Sequence, residues 1–230
     1  MDDRIFDRVA AAAAVAVAVL SLVYAIAYLG ITPSEQRGSD VDEFYRSYLA
    51  HPAGMRIAST CLLLSGLVIG TTVVALGRRF AANAPTALAW ARIVGVVAGL
   101  ATAAHGLTSL LGVDELAHDY ESGDAAKRAA VAVAHAAPNH VDPRGLATFG
   151  AAGLVALVLG LAVRPERRGL GQLGIVLGVD MAVLFVATAA GIDPLVLLTG
   201  GLASVVLGPI WWVSVGRLLW RSPSEVGDDA

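Results

Sequence analysis

The chain has 230 residues, 57% of them hydrophobic and only 15% charged, with a mean hydropathy of +0.70. A soluble domain averages roughly 45–50% apolar and about 25% charged residues, so the composition excludes an ordinary water-soluble fold and places the chain in the membrane class. A net charge of −3 supplies no field that would gather nucleic acid or an acidic substrate. The single cysteine, Cys61, lies inside an apolar run, which leaves no intrachain disulfide and no cysteine metal cluster.

A helix rises about 1.5 Å per residue and the hydrocarbon core is about 30 Å thick, so a span takes ~20 mostly apolar residues. Six segments meet that length: 9–29, 55–76, 90–113, 146–163, 172–192 and 195–220. The first is longer than a signal-peptide core of about 7–15 residues and is read as a retained helix. The sequence thus predicts an all-α membrane protein, a single transmembrane domain over 1–221 built as a six-helix bundle, followed by a short tail, 222–230.

Between spans one and two, over 30–54, Val41, Phe44, Tyr45, Tyr48 and Leu49 recur at helical spacing among Asp40, Asp42, Glu43 and Arg46, which predicts a short amphipathic helix at the interface. Between spans three and four, over 114–145, an Ala-rich stretch from Asp124 to Ala137 predicts a second short helix with Asp124 as its cap. Together these segments are expected to form a small cap over one end.

Charge is sorted by side. Arg4, Arg8, Arg78, Arg79, Arg92, Arg164, Arg167, Arg168, Arg217 and Arg221 fall at one set of span ends, whereas Glu35 to Glu43, Asp114, Glu115, Asp119, Glu121, Asp124 and Asp193 fall at the other. By the positive-inside rule the arginine side is cytoplasmic, which puts both termini there in a multi-pass protein of the cell membrane. Trp211, Trp212 and Trp220 close the last span and are expected to anchor at the headgroups.

Pro52, Pro143 and Pro194 each precede a span of the same direction, where a missing N–H costs nothing. Pro52-Ala-Gly-Met55 and Pro143-Arg-Gly-Leu146 match further, so a repeat of three helical hairpins is one reading and generic helix starts the other. The pairs Gly66/Gly70, Gly95/Gly99 and Gly174/Gly178 allow close helix approach, within a bundle or with a partner, so a homo-oligomer or a membrane protein partner joins the lipid bilayer among the expected contacts.

Ionisable groups at membrane depth are the strongest functional signal, because a charge there costs at least ~2.5–3.5 kcal/mol. Asp180 lies near the middle of span five, among Leu173, Val176, Leu177, Leu184 and Ala187; it reads either as a proton- or cation-binding carboxyl or as a hydrogen-bonded link between helices. His105 shares a helix face with Thr102, Thr108 and Ser109, and Ser21, Tyr24 and Tyr28 form a second polar stripe at similar depth. These stripes predict a polar pocket opening to the outer face, with Tyr24, Tyr28, Thr102, His105, Ser109 and Asp180 as its ligand or proton-pathway residues.

No cofactor is expected. A bis-histidine haem at His105 lacks a second histidine at that depth. His118, Glu121, His135 and His140 are weak metal candidates by residue type, without the spacing of a tight site. No phosphate loop, nucleophile elbow or HExxH motif occurs.

The six-span alternation, the opening Arg-then-Ala/Val/Leu helix ending Tyr24-Ala-Ile-Ala-Tyr28, and the long first outer loop resemble the uncharacterised bacterial six-helix proteins of the DUF4386-like family. The resemblance implies the topology and supplies no site residues. Three functions compete: a small transport or ligand-sensing protein using the polar pocket, a non-catalytic accessory subunit, and a membrane enzyme acting on a lipid or quinone at the outer face.

Overall fold

In hydrocarbon a backbone N–H or C=O has only the chain itself to bond, so an apolar run long enough to cross must be helical. The computed structural model describes residues 3–29, 41–136 and 141–221. The tail 222–230, His140 and most of the acidic stretch before Val41 lie outside the described residues.

The helices are α1 (Asp3–Leu29), α2 (Val41–Ala50), α3 (Ala53–Arg79), α4 (Pro85–Ser122), α5 (Ala125–Ala136), α6 (Ala152–Val163), α7 (Arg168–Ala190), α8 (Asp193–Gly201) and α9 (Gly208–Trp220). A 3-10 turn, Pro143–Gly145, and a π-helical turn, Leu146–Ala151, lead into α6; a second π-helical turn, Leu202–Leu207, joins α8 to α9. Six stretches are long and apolar enough to cross a membrane: Asp3–Tyr28, Ala53–Arg79, Pro85–Ser122, Pro143–Val163, Arg168–Ala190 and Asp193–Trp220. Each span packs against the next in chain order, and α9 returns to α1.

Glycines set the closest approaches. A Cβ on Gly66 would lie 2.4 Å from the Gly99 carbonyl oxygen, and one on Gly160 would lie 2.6 Å from the Ile175 nitrogen. Gly95 likewise meets Val73, and Gly174 meets Trp211. The small-residue pairs that left a bundle or a partner open are therefore occupied by the chain's own helices. Polar links tie the arginine end: Thr72 Oγ1 donates to the Ala10 carbonyl at 3.0 Å, Arg79 to the Leu218 carbonyl at 2.8 Å, and Asn83 Nδ2 to the Ala162 carbonyl at 2.9 Å. The main buried cluster, around Leu76, Leu88, Leu159, Trp211 and Leu219, includes this end.

Three sequence expectations change. The segment after residue 113 was expected as loop, yet α4 continues to Ser122 before Gly123 stops it. At about 1.5 Å per residue its 38 residues reach about 57 Å, well beyond the hydrocarbon thickness. The extension is held where Arg56 pairs with Asp114 at 2.7 Å and Tyr48 donates to Asp114 at 2.7 Å. Trp211, expected at the headgroups, is fully buried against Gly174, whereas Trp220 is exposed. The matching starts at Pro52 and Pro143 fold differently, because Gly54 lies within regular helix while Arg144 and Gly145 take φ of 54° and 72°. Proline also opens α4, at Pro85, so it does not mark one direction.

The two short helices expected between the spans form. Asp124 Oδ1 accepts the Lys127 N–H at 2.9 Å and starts α5. Phe44, Tyr45 and Tyr48 of α2 share a small core with Ala117 of α4 and Val131 of α5. Tyr120 donates to Asp42. His135 lies 4.5 Å from the Phe44 ring and 5.4 Å from Tyr45, and burial pushes its imidazole below the usual range. Tyr45 is pushed up to about 12 by burial, with Tyr120 beside it.

Gly66→Ala should destabilise the protein by about 1–3 kcal/mol, because the added methyl meets backbone that cannot move aside. Gly112→Ala meets nothing within 4 Å and should leave the thermal midpoint unchanged or slightly raised. Thermal unfolding of both variants in detergent checks the pair, and equal midpoints would refute the glycine seam.

Candidate functional site

Pro143 has no N–H to donate and fixes its own φ, so the chain turns into span four with Asp142 in the capping position. The left-handed pair Arg144 and Gly145 then swings the first amides of the π-helical turn back onto the Asp142 side chain. Asp142 Oδ1 accepts the Ala147 N–H at 2.6 Å, and Oδ2 accepts the Thr148 N–H at 3.2 Å and the Thr148 hydroxyl at 2.5 Å. His105 Nδ1 approaches Oδ2 to 3.6 Å, outside hydrogen-bond range but close enough for its charge state to be felt. Nδ1 itself is buried with no hydrogen-bond partner.

Burial alone would raise the Asp142 carboxyl. The neighbouring His105 imidazole and the donors from Thr148 and the Ala147 backbone outweigh it and bring the group to about 2. Thr148 Oγ1 also lies 3.0 Å from Thr102 Oγ1, which can donate to the Ala98 carbonyl at 2.9 Å. A polar string thus runs from His105 through Asp142 and Thr148 to Thr102.

Thr102 and Thr148 reach the wall of a partly enclosed cavity of about 160 Å³ lined by residues of all six spans. Its wall is mostly apolar, with Ser21, Tyr24, Ser65, Thr102, Thr148 and Ser204 the side chains that bring hydroxyls, and among the described residues it holds no Asp, Glu, Lys, Arg or His. Both π-helical turns contribute, through Thr148 and Phe149 and through Ala203 and Ser204. Such turns displace backbone from the regular ladder and recur at functional sites. Trp211 completes one side, and its buried indole N–H has no acceptor among the described residues.

Of the polar-stripe residues singled out from sequence, Ser21, Tyr24 and Thr102 line this cavity. Tyr28 stacks on Tyr24 with centroids 5.8 Å apart, outside the wall. His105 sits behind the wall beside Asp142, and Ser109 is not part of it. Asp180 is buried with Oδ2 unpartnered, and it too is not a lining residue. The loop candidates do not converge: His118 Nδ1 lies 2.8 Å from the Asp114 carbonyl, His135 is in the aromatic cap core, His140 is outside the described residues, and no metal-capable group of three, Glu121 included, occurs among those described.

Sequence reasoning missed Thr148 and Trp211 as wall residues and gave Asp142 no place at the span's start. An Asp-Pro pair ahead of an apolar run is an N-terminal capping signal that could have found Asp142. A π-helical turn has no comparable signature.

Because the folded Asp142 carboxyl titrates below its unfolded value, its contribution to stability is complete above about pH 4 and is lost as pH falls through about 2. Asp142→Asn should lower stability at neutral pH by about 2 kcal/mol and flatten that acid limb. Thr148→Val, which keeps the backbone bonds, should cost about 1 kcal/mol. Thermal midpoints across the acid range check both; an Asp142→Asn protein as stable as the parent would contradict the cap.

No family model, curated protein or solved structure matches this chain.

Proposed function

We propose that this is a small transport or ligand-sensing membrane protein that takes a neutral, mostly apolar molecule into the cavity between its spans. The observation carrying this reading is the shared cavity itself, which both π-helical turns help to line and which has an unpaired indole N–H in its wall. A wall without charged groups would leave an ion unpaired, at a cost no neutral ligand meets. An apolar cavity of about 150 Å³ accepts benzene, so a volume near 160 Å³ suits one ring or a short acyl segment rather than a whole drug-sized solute. The Trp211 N–H offers a hydrogen bond to a carbonyl or ether oxygen, and Tyr24 and the Thr102/Thr148 pair can donate or accept.

The topology of this reading is a six-span bundle of three hairpins in the plasma membrane, with the arginine ends and both termini cytoplasmic. The concentration of arginine at one set of span ends supports it. The texture of the first span supports membership of the DUF4386-like group. The cavity then opens from mid-membrane toward the acidic, outer end, where Tyr24 and Thr102 lie.

The test is retention of a ligand. Protein purified in mild detergent should carry a neutral apolar compound detectable by mass spectrometry after extraction. Ser65→Phe, which fills the cavity, should abolish retention; Trp211→Phe, which keeps the ring but removes the donor, should weaken it about 5- to 30-fold, the worth of one buried hydrogen bond. Identical extracts from parent and Ser65→Phe protein, with both variants folded, would sink the proposal.

A further inference from the structure

A second cavity, about 510 Å³ and open to solvent, lies at the arginine end between the turn joining α6 to α7 and the last turns of α9. Arg167, Arg168, Arg217 and Arg221 line it, with Glu166 as the one acid. Four positive charges against one negative leave a net charge of about +3 on the walls.

Two other arginines at this end of the molecule are already engaged. Arg78 is paired with Asp3 at 2.5 Å, and Arg79 is spent on the carbonyls of Leu218 and Arg221, where it closes the C-terminal turn of α9. Arg167, Arg168, Arg217 and Arg221 make no salt bridge and no side-chain hydrogen bond among the described residues, and all four are exposed. The one acid in the cleft is partly used, because Glu166 accepts Asn83 Nδ2 at 2.8 Å. The cleft therefore concentrates cations without supplying their counter-ion.

Its floor is different from its rim. Leu170 and Leu218 are half-buried in the cleft, one at the start of α7 and one near the end of α9. Residues 168–170 form the first turn of α7, whose N–H groups have no intrahelical acceptor, and no side chain among the described residues caps them. A guanidinium fork fits phosphate oxygens bidentately, and a helix N-terminus adds partial positive charge. Cationic rim, apolar floor and a position at the ends of two spans describe one kind of occupant.

We propose that this cleft is a binding site for the phosphate of an anionic phospholipid headgroup, its acyl chains starting along Leu170 and Leu218. Each arginine near the surface contributes about a factor of five for such a lipid, so removing two should weaken binding on the order of 30-fold. The site is independent of the central cavity, which contains none of these residues.

The full chain in nanodiscs or detergent, titrated with phosphatidylglycerol and with phosphatidylcholine and read by native mass spectrometry, tests it. The expected result is retention of the anionic lipid over the zwitterionic one, lost in Arg168→Gln/Arg217→Gln and kept in Arg4→Gln/Arg8→Gln, which removes the same charge elsewhere. Equal retention in both double variants would overturn the proposal, since the preference would then follow net charge and not the cleft. Displacement of the lipid by millimolar inorganic phosphate would assign the cleft to a soluble phosphate and overturn the lipid source. Binding that appears only when the chain is cut after Arg221 would assign the cleft to the acidic tail residues Glu225, Asp228 and Asp229, and would overturn it as well.

Discussion

Apolar helices in hydrocarbon gain nothing from hiding leucine from lipid, so what holds these spans together is contact that lipid cannot match, backbone against backbone at glycine. Gly66 meets Gly99 and Gly106 meets Ser59 between α3 and α4; Gly160 meets Gly171 and Gly178 meets Gly153 between α6 and α7. In these two seams the helices lie so close that an added Cβ would run into the facing backbone. Contacts of α4 with α6 join one pair to the other directly, and α1, α8 and α9 close the circuit between α3 and α7. Gly174 has a further role, because its missing side chain is the space into which the Trp211 ring edge fits, 2.6 Å from where a Cβ would stand.

The cavity follows from where that close packing stops. Toward the arginine end, buried Leu76, Leu88, Leu159 and Leu219 fill the interior. Further along, span four enters through a left-handed pair and a π-helical turn, and span six carries a π-helical turn between α8 and α9. A π-helical turn widens the helix and shifts the side chains that follow, and one such turn on each of spans four and six stands in the wall of the cavity. Asp142 makes the first of these affordable in a membrane, since its carboxylate satisfies amides that the irregular start would leave open.

Much of the architecture was legible because a membrane span has only one solution for its backbone. Six apolar runs, the arginine side, the short helix over 41–50 and the Asp124 cap all follow from length, charge sorting and capping chemistry. The end of α4 was not, because Asp114, Glu115 and Asp119 read as loop until Arg56 and Tyr48 are seen to hold Asp114 from other elements. Of the polar stripes, Ser21, Tyr24 and Thr102 reached the cavity while Tyr28, His105 and Ser109 did not, since a shared helix face fixes direction only to about a third of the circumference. Trp211 was misplaced for a related reason: its position in sequence says interface, and only Gly174 on another helix says interior.

The cap bears on the cavity through the same helices that wall it. Arg56 sits on α3 five residues before Cys61, and Asp114 sits on α4 beyond Thr102; the two are joined at 2.7 Å, with Tyr48 of α2 donating to the same carboxylate. Any motion that separated α3 from α4 at this end would have to break this three-way contact as well as the glycine seam beyond it. Span four is tied on two sides, to α4 by the Thr102 to Thr148 contact and the approach of Asp142 to His105, and to α7 by Arg144 donating to the Ala189 carbonyl at 2.7 Å and by the glycine seam. The π-helical turn at Leu146–Ala151 therefore sits between these two ties, in the wall of the cavity beside the His105–Asp142 pair.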